Sequence, residues 1–509
     1  MARGSVNRRE RRLAESAGIR QMRFAHVENR YRPIEVMSAD EVEAIHHASL
    51  RLLRDTGMEI MHAESRGLLK LAGADVDEAT QRVRFDPAMI EETIRTVPSS
   101  FTLQARDPAK NLRVGDGSLI FAATGGPAFV SDLERGRRAG NYADMCDYIR
   151  VVQSLNVIHQ EGGCPCEPTD LPPDSRHLDF YLAAIRLTDK NWQCWALGGY
   201  RVEDAIDMLS ITLGQSREEL KTNPAALTVI NSNSPLRLDV PMGEGLVTMA
   251  RAGQPVALTP FTLSGAMSPV TIAGALTQQN AEALALIALA QIARAGAPVL
   301  YGGFTSNVDM RTGAPAFGTP EYAKAQIASG QLARRYGVPF RSSNVTASNV
   351  VDVQAAYEGG MSLWSTIMGG VHLIEHAAGW LEGGLTASFE KLVLDAEMLQ
   401  MMRSFLSPIP VDEGSLAVDT IGDVGPGGHF FGTTHTLARF ENAFYEPMLS
   451  DWRNFETWSE SGARSGTERA NAIWKELLRT YEQPPLDPAI EEELEAFVAR
   501  RKTEIAAAG

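Results

Sequence analysis

From residue 119 onward the chain alternates between two kinds of apolar pattern. Short, nearly continuous apolar or β-branched runs end in small polar residues: 119–124, 157–162, 192–197, 227–231, 256–261, 299–304, 340–344 and 371–375. Unbroken apolarity over so few residues is the mark of a strand buried on both faces. Between the runs lie longer stretches of helical period: 142–155, 175–188, 202–213, 240–252, 270–295, 319–336, 352–368 and 388–405. About eight strand–helix pairs in roughly 290 residues match the size of one (β/α)8 barrel. An open, doubly wound sheet shows the same alternation, but a count of about eight favours closure.

The boundary chemistry agrees with this reading. Gly296, Gly337 and the Gly369-Gly370 pair stand where helices should end, and Pro298 and Pro339 follow two of those ends. Ahead of the barrel, Ser38 reads as the N-cap of a helix through Arg54, with Glu41 placed for a capping box. Asp86-Pro87 opens a further helix that stops before Pro98. The expected organisation is a tail and helical extension over 1–110, an α/β TIM barrel over 111–408, and a C-terminal extension over 409–509. That last part is Gly- and aromatic-rich, then carries two terminal helices separated by Pro484-Pro485. No solenoid period is present.

Composition narrows the function. With 44% hydrophobic and 22% charged residues among 509, a large core is available. A formal charge of -15 argues against nucleic acid as a partner. Four cysteines in so long a chain do not form a disulfide framework. The arginine-rich start, residues 1–24, has no apolar segment of a secretory signal and reads as a flexible tail. The most apolar helical run, 283–293, is interrupted by Gln291 and too short to cross a bilayer. A cytoplasmic, non-membrane protein is expected.

Reacting groups in a barrel sit at the C-terminal ends of the strands. No lysine stands at such an end, which disfavours a Schiff-base aldolase. The first strand has no His-x-His pair, and no phosphate-binding loop with lysine is present. Cys164-Pro165-Cys166, with His159 and Glu161 nearby, has the wrong spacing for common zinc sites, so no metal is expected. His372, Glu375 and His376, around strand eight, can form a general acid/base group or hold a cation; hydrogen-bonded barrel histidines are an equal alternative. Phe121, Trp195, Phe261, Tyr301, Phe304 and Trp380 fall near the mouth, where aromatic faces can cage a quaternary ammonium or simply fill the core. Arg341 can clamp a carboxylate or pair with Asp352 or Glu375, and Glu161 is a further strand-end candidate for substrate. His429 and His435 lie in a Gly-rich stretch, 427–435, able to approach a ligand closely.

Several motifs resemble the trimethylamine methyltransferase family. They are Tyr301-Gly302-Gly303-Phe304, Asp309-Met310-Arg311-Thr312-Gly313, and Gly318-Thr319-Pro320-Glu321. Further on come Asp352-Val353-Gln354-Ala355-Ala356-Tyr357-Glu358, the stretch from His376 through Trp380 to Thr386, and Gly427-Gly428-His429-Phe430. The resemblance implies a TIM barrel that holds a methylated amine and passes its methyl group to cob(I)alamin. The cofactor would be carried by a separate corrinoid protein and not bound in this chain. Family members acting on trimethylamine carry pyrrolysine in the barrel, whereas this chain has only standard residues. That departure points to the non-pyrrolysine branch, which takes quaternary amines such as glycine betaine. Two other readings stay open: a betaine-binding barrel without catalysis, and a metal-dependent barrel lyase or hydrolase. Association into a homo-oligomer is also compatible with the long C-terminal helices.

Overall fold

A computed structural model of the chain describes residues 19–508. The arginine-rich start, with Arg8, Arg9, Arg11 and Arg12, lies outside them. Residues 19–24, read above as part of a loose tail, are tied down. The Gln21 side chain donates to the Ser154 carbonyl at 3.0 Å, and the Met22 amide to Gln400 Oε1 at 2.7 Å.

Eight parallel strands form the centre: β1 (Ser118–Ala123), β2 (Gln160–Glu161), β3 (Asn191–Trp192), β4 (Thr228–Ile230), β5 (Val256–Leu258), β6 (Val299–Gly302), β7 (Phe340–Ser343) and β8 (Leu373–Ala378). Neighbours in sequence are neighbours in the sheet, and β8 pairs with β1. A parallel bridge between Gln193 and Leu227, with the Cys194 amide on the Leu227 carbonyl at 2.9 Å, joins β3 to β4 and completes the ring. The eight following helices are α1 (Tyr142–Ser154), α2 (Arg176–Leu187), α3 (Gly199–Leu213), α4 (Val240–Arg251), α5 (Ile272–Ala293), α6 (Pro320–Tyr336), α7 (Val353–Met368) and α8 (Phe389–Leu406). The chain is thus a TIM-barrel-like α/β protein.

Local chemistry explains the helix ends. Thr319, Asp239, Asp352 and Ser388 each accept a backbone amide at the start of their helices, and Pro320 fills the first turn of α6. Helix α6 stops at Gly337, whose φ of 67° is left-handed. Ser38 and Glu41 form the capping box of the N-terminal helix Ala39–Asp55. That helix and Pro87–Ile94 pack on α5, which explains why α5 is apolar nearly all round. No helix among the described residues is long and apolar enough to cross a membrane.

The core has two shells. Leu119, Phe121, Ile374 and Tyr301 belong to the large cluster between strands and helices. Ile120, Ala122, Leu227, Ala257, Leu300 and Leu373 fill the lower barrel interior. The antiparallel pair Phe101–Leu103 and Leu112–Val114 adds Leu103, Leu112 and Val114 to that layer, closing the base. With its base plugged by apolar side chains, the barrel is open to chemistry only at the other end. On the outside of the barrel, Gly466–Arg479 packs on α8 and α1, and Pro488–Ala508 on α2 and α3.

Candidate functional site

Above the apolar layer the barrel turns polar. Gln160 Nε2 donates to Asn191 Oδ1 at 2.5 Å, Gln193 Nε2 to Gln160 Oε1 at 3.0 Å, and the same nitrogen to Glu375 Oε2 at 2.7 Å. This ladder rises into a cavity of about 490 Å³ at the C-terminal ends of the strands. Gln193, Phe261, Phe304, Arg341, Glu375, His376 and Trp380 all line it.

A backbone irregularity makes the floor. Strand β8 shifts register between Ile374 and Ala378, and His376 within that bulge has a φ of 54°. A regular strand would turn Glu375 and His376 to opposite faces; the bulge lets both face the cavity. Such a left-handed non-glycine residue costs about 1–3 kcal/mol and persists where surrounding structure enforces it. Three bonds do so: Asn344 Nδ2 donates to the Ala377 carbonyl at 3.0 Å, the Gly379 amide to Asp395 Oδ2 at 2.9 Å, and buried Lys391 to Asp395 at 2.5 Å. Gly379 itself has a φ of 101°, and a Cβ there would fall 1.7 Å from the Tyr148 hydroxyl.

The floor carries unmatched charge. Arg341 is 2% exposed, yet its Nε and Nη1 have no hydrogen-bond partner, and its guanidinium lies 5.4 Å from the Phe304 ring centre. Glu375 Oε1 is likewise buried without a partner. Burial pushes the Glu375 carboxyl up to about 7, against the opposing pull of Arg341 and the Gln193 bond. Burial, and next Arg341, hold the His376 imidazole well below its ordinary range, so it is neutral. Buried polar groups are normally paired, so aligned orphans of opposite sign at a cavity floor mark a place made for a ligand.

The wall is aromatic. The Phe304 ring lies 5.2 Å from Phe261, 6.2 Å from Trp380 and 6.5 Å from His376, and His376 lies 4.2 Å from Trp380. Trp195, stacked on Phe180 at 5.9 Å, stands on another side. Faces of this kind attract a cation through their quadrupoles. Gly125, Gly126, Gly162 and Gly163 also line the cavity, as does the Arg176–Glu167 ion pair at 2.7 Å.

The structure brings together seven of the residues expected from sequence: Trp195, Phe261, Phe304, Arg341, Glu375, His376 and Trp380. It places five elsewhere. Phe121 faces outward, stacked on His159 at 5.2 Å. Tyr301 also faces the helices, its hydroxyl donating to Asn280 Oδ1 at 3.0 Å. His372 stands at the opposite end of β8, where its Nδ1 accepts the Phe340 amide at 3.0 Å, and burial lowers its pKa to about 4. His429 is exposed in the C-terminal extension. Glu161 does not line the cavity; its carboxylate is buried with both oxygens unpartnered, and burial raises its pKa well above the usual range. Gln193, which positions Glu375, was not singled out from sequence; its signal is a polar residue alternating with buried Trp192 and Cys194. Cys164 lines the cavity as a thiol, its pKa raised by burial. Among the described residues no three His, Cys, Asp or Glu side chains are grouped to hold a metal ion.

Comparison with known proteins adds a second line. The family described as trimethylamine methyltransferase (MTTB) matches residues 2–506. The glycine betaine methyltransferase of Desulfitobacterium hafniense (strain Y51) is 35% identical over 471 residues, covering 92% of this chain and 98% of that protein. A trimethylamine methyltransferase of Desulfitobacterium hafniense (strain DSM 10664 / DCB-2) is 29% identical, covering 92% of this chain and 94% of its own. Trimethylamine methyltransferase MttB2 of Methanosarcina mazei is 28% identical, covering 91% and 94%.

Proposed function

The chain belongs to the trimethylamine methyltransferase family, and from that premise we propose that it demethylates a quaternary amine bearing a carboxylate, glycine betaine foremost, and delivers the methyl group to cob(I)alamin on a separate corrinoid protein. The observation that carries this reading is the unpaired Arg341 guanidinium on the floor of a cavity walled by aromatic rings. A betaine has an anion at one end and a fixed cation at the other. Arg341, with no hydrogen-bond partner on Nε or Nη1, offers a free guanidinium to the carboxylate. Phe304, Phe261 and Trp380 offer their faces to the trimethylammonium group. Glu375, when ionised, adds an opposing charge beside it.

The reaction asks little acid–base work of these residues. The nitrogen is already positive, so the C–N bonding pair stays on nitrogen as the methyl group departs, and a neutral tertiary amine is left. The corrinoid supplies the nucleophile. The protein's share is to hold the cation, aim one methyl at the mouth and keep water away. Neutral His376 packs against Trp380 without adding a repelling charge. Gly126, exposed and with nothing within 4 Å of where a Cβ would stand, leaves room for a broad, planar group at the mouth. After transfer the amine has lost its fixed charge, so the attraction that held the substrate weakens for the product.

The test is spectral. The protein is mixed with a corrinoid carrier reduced to cob(I)alamin and offered a panel of methylated amines. Loss of the cob(I) band with growth of methylcobalamin on glycine betaine or a related betaine is expected. Turnover of trimethylamine alone would overturn the substrate assignment. Tight betaine binding with no methylation of any carrier would overturn the reaction and leave a binding protein.

A further inference from the structure

The segment 409–444, between α8 and the C-terminal helices, is ordered but has no core. Of its short helices Glu413–Leu416, Val418–Val424 and Thr434–Arg439, the first is capped by Asp412 and the last by Thr433. Among the described residues, the hydrogen bonds of this segment are made within it, such as His435 to the Gly414 carbonyl at 3.1 Å. Its apolar side chains point to solvent: Phe431 and Phe444 are each 84% exposed, and Ile409, Val411, Val418 and Leu437 are also exposed. Ordering so long a segment costs conformational entropy that these side chains do not offset within their own chain.

The segment leaves the barrel beside a second unpartnered face. Helix α7 carries Val353, Tyr357, Met361 and Trp364 on one side, at helical spacing, with Val353 78% and Tyr357 62% exposed. Phe405 and Met401 of α8 extend this stripe; Trp364 lies 5.1 Å from Phe405, and the segment begins just beyond. It returns where the Met448 and Leu449 amides donate to Glu397 of α8, at 2.8 and 3.1 Å.

We propose that residues 409–444 form an arm that clasps a second copy of this chain, seated on that copy's α7–α8 stripe, while the copy's arm seats on the first. Two-fold symmetry then covers both unpartnered surfaces with one contact used twice. Taking about 150–250 Å² for an aromatic side chain and somewhat less for an aliphatic one, the arm exposes on the order of 800 Å² of apolar area and the stripe nearly as much. A standard interface needs about 800 Å² per partner. Charge agrees: the arm carries Asp412, Glu413, Asp419, Asp423 and Glu441 against Arg439 alone. Exposed Arg32 stands next to Tyr31, which packs 5.4 Å from Phe405 at the end of the stripe, and Arg30 on its other side is paired with Glu28 at 3.0 Å. A foreign partner would have to match both surfaces separately.

Sedimentation of the full chain tests this with two double variants, Phe431→Asp/Phe444→Asp in the arm and Val353→Asp/Tyr357→Asp on the stripe. The unaltered protein is expected as a dimer or an assembly of dimers. Each variant alone should fall to monomer with its circular dichroism and melting temperature retained; the milder Phe431→Ser/Phe444→Ser serves if the first misfolds. An equimolar, concentrated mixture should recover dimer, because one intact arm then meets one intact stripe. An unaltered protein that is monomeric, variants that keep its mass, or a mixture that stays monomeric would each overturn the proposal. An arm protected from proteolysis only when a corrinoid protein is added would do the same.

Discussion

Betaine affinity should rise with pH through neutrality, because Glu375 changes charge there. Its carboxyl is pushed up to about 7 by burial, with Arg341 and Gln193 pulling the other way. The anion attracts an ammonium and the neutral acid does not, so protonation removes the attraction as the pH falls. At about 5 Å and an effective dielectric of about 20, that attraction is worth roughly 3 kcal/mol. This exceeds what titration can reveal over a practical range, so the proton equilibrium sets the size of the effect. If only the anion binds well, Kd should weaken about 30-fold between roughly pH 8.5 and pH 5.5. His376 is held neutral and Arg341 stays charged; buried Lys190, lowered by burial to about 7, titrates in the same range beside Glu161, so comparison with Glu375→Gln isolates the share of Glu375. Calorimetry with glycine betaine, which has no group titrating in that range, measures the slope directly. In Glu375→Gln the slope should vanish and affinity above neutrality should fall. Stability supplies a companion reading with a defined sign. A raised carboxyl pKa costs the fold nothing below its unfolded value near 4.5 and costs about 3 kcal/mol above about 7. Glu375→Gln should therefore melt higher than the unaltered protein at alkaline pH and lose that advantage in acid. A flat Kd profile in the unaltered protein, or the same slope in the glutamine variant, would refute the reasoning.

Other substitutions separate the roles of the remaining residues. Arg341→Met should weaken carboxylate-bearing betaines by about 10- to 100-fold, the worth of a charge-assisted hydrogen bond, and choline much less, as competition calorimetry would show. The fold should tolerate it best in acid, where Glu375 is uncharged and the lost guanidinium leaves no anion uncompensated. Trp380→Ala should cost more than tenfold in ammonium binding, measured by the same titration. Tyr301→Ala, by contrast, should leave binding near normal and lower stability by about 3–5 kcal/mol in denaturant unfolding, since its ring packs between strand and helix. Gly379→Ala should lower the melting temperature sharply and disturb the β8 bulge, because the Tyr148 hydroxyl occupies the space of the new methyl.

Much of the architecture was legible because it is written in local chemistry. The eight apolar runs each overlap a barrel strand, β3 by Trp192 alone and β8 only as far as Glu375, and the helix starts at Asp239, Thr319, Asp352 and Ser388 carry caps that act on the next turn alone. The plug at the base was not legible. Phe101–Leu103 and Leu112–Val114 are too short and too ordinary to announce that they close a barrel. The arm at 409–444 reads only as Gly- and aromatic-rich; nothing local shows that its phenylalanines find no cover in their own chain.

The site itself was half legible, and the physical reason is strand parity. A strand with one wet face betrays its orientation by alternation, but barrel strands are buried on both sides. Tyr301 and Phe304 look equally suited to line a cavity, yet Tyr301 faces the helices and Phe304 the cavity. What could have set the parity is chemistry instead of hydropathy. On β7, Phe340 faces the helices and Arg341 the centre, for no arginine can be left between apolar helices. Parallel register then carries that choice across the sheet: Arg341 is paired with Gly302 on one side and Leu373 on the other. Counting from those partners puts Leu300 and Glu375 inside and Tyr301 outside, as observed. The same count fails at His376, because a bulge changes parity and leaves no signature in sequence. One buried charge per strand therefore orients a barrel until the backbone departs from regularity, and here the departure falls at the cavity floor.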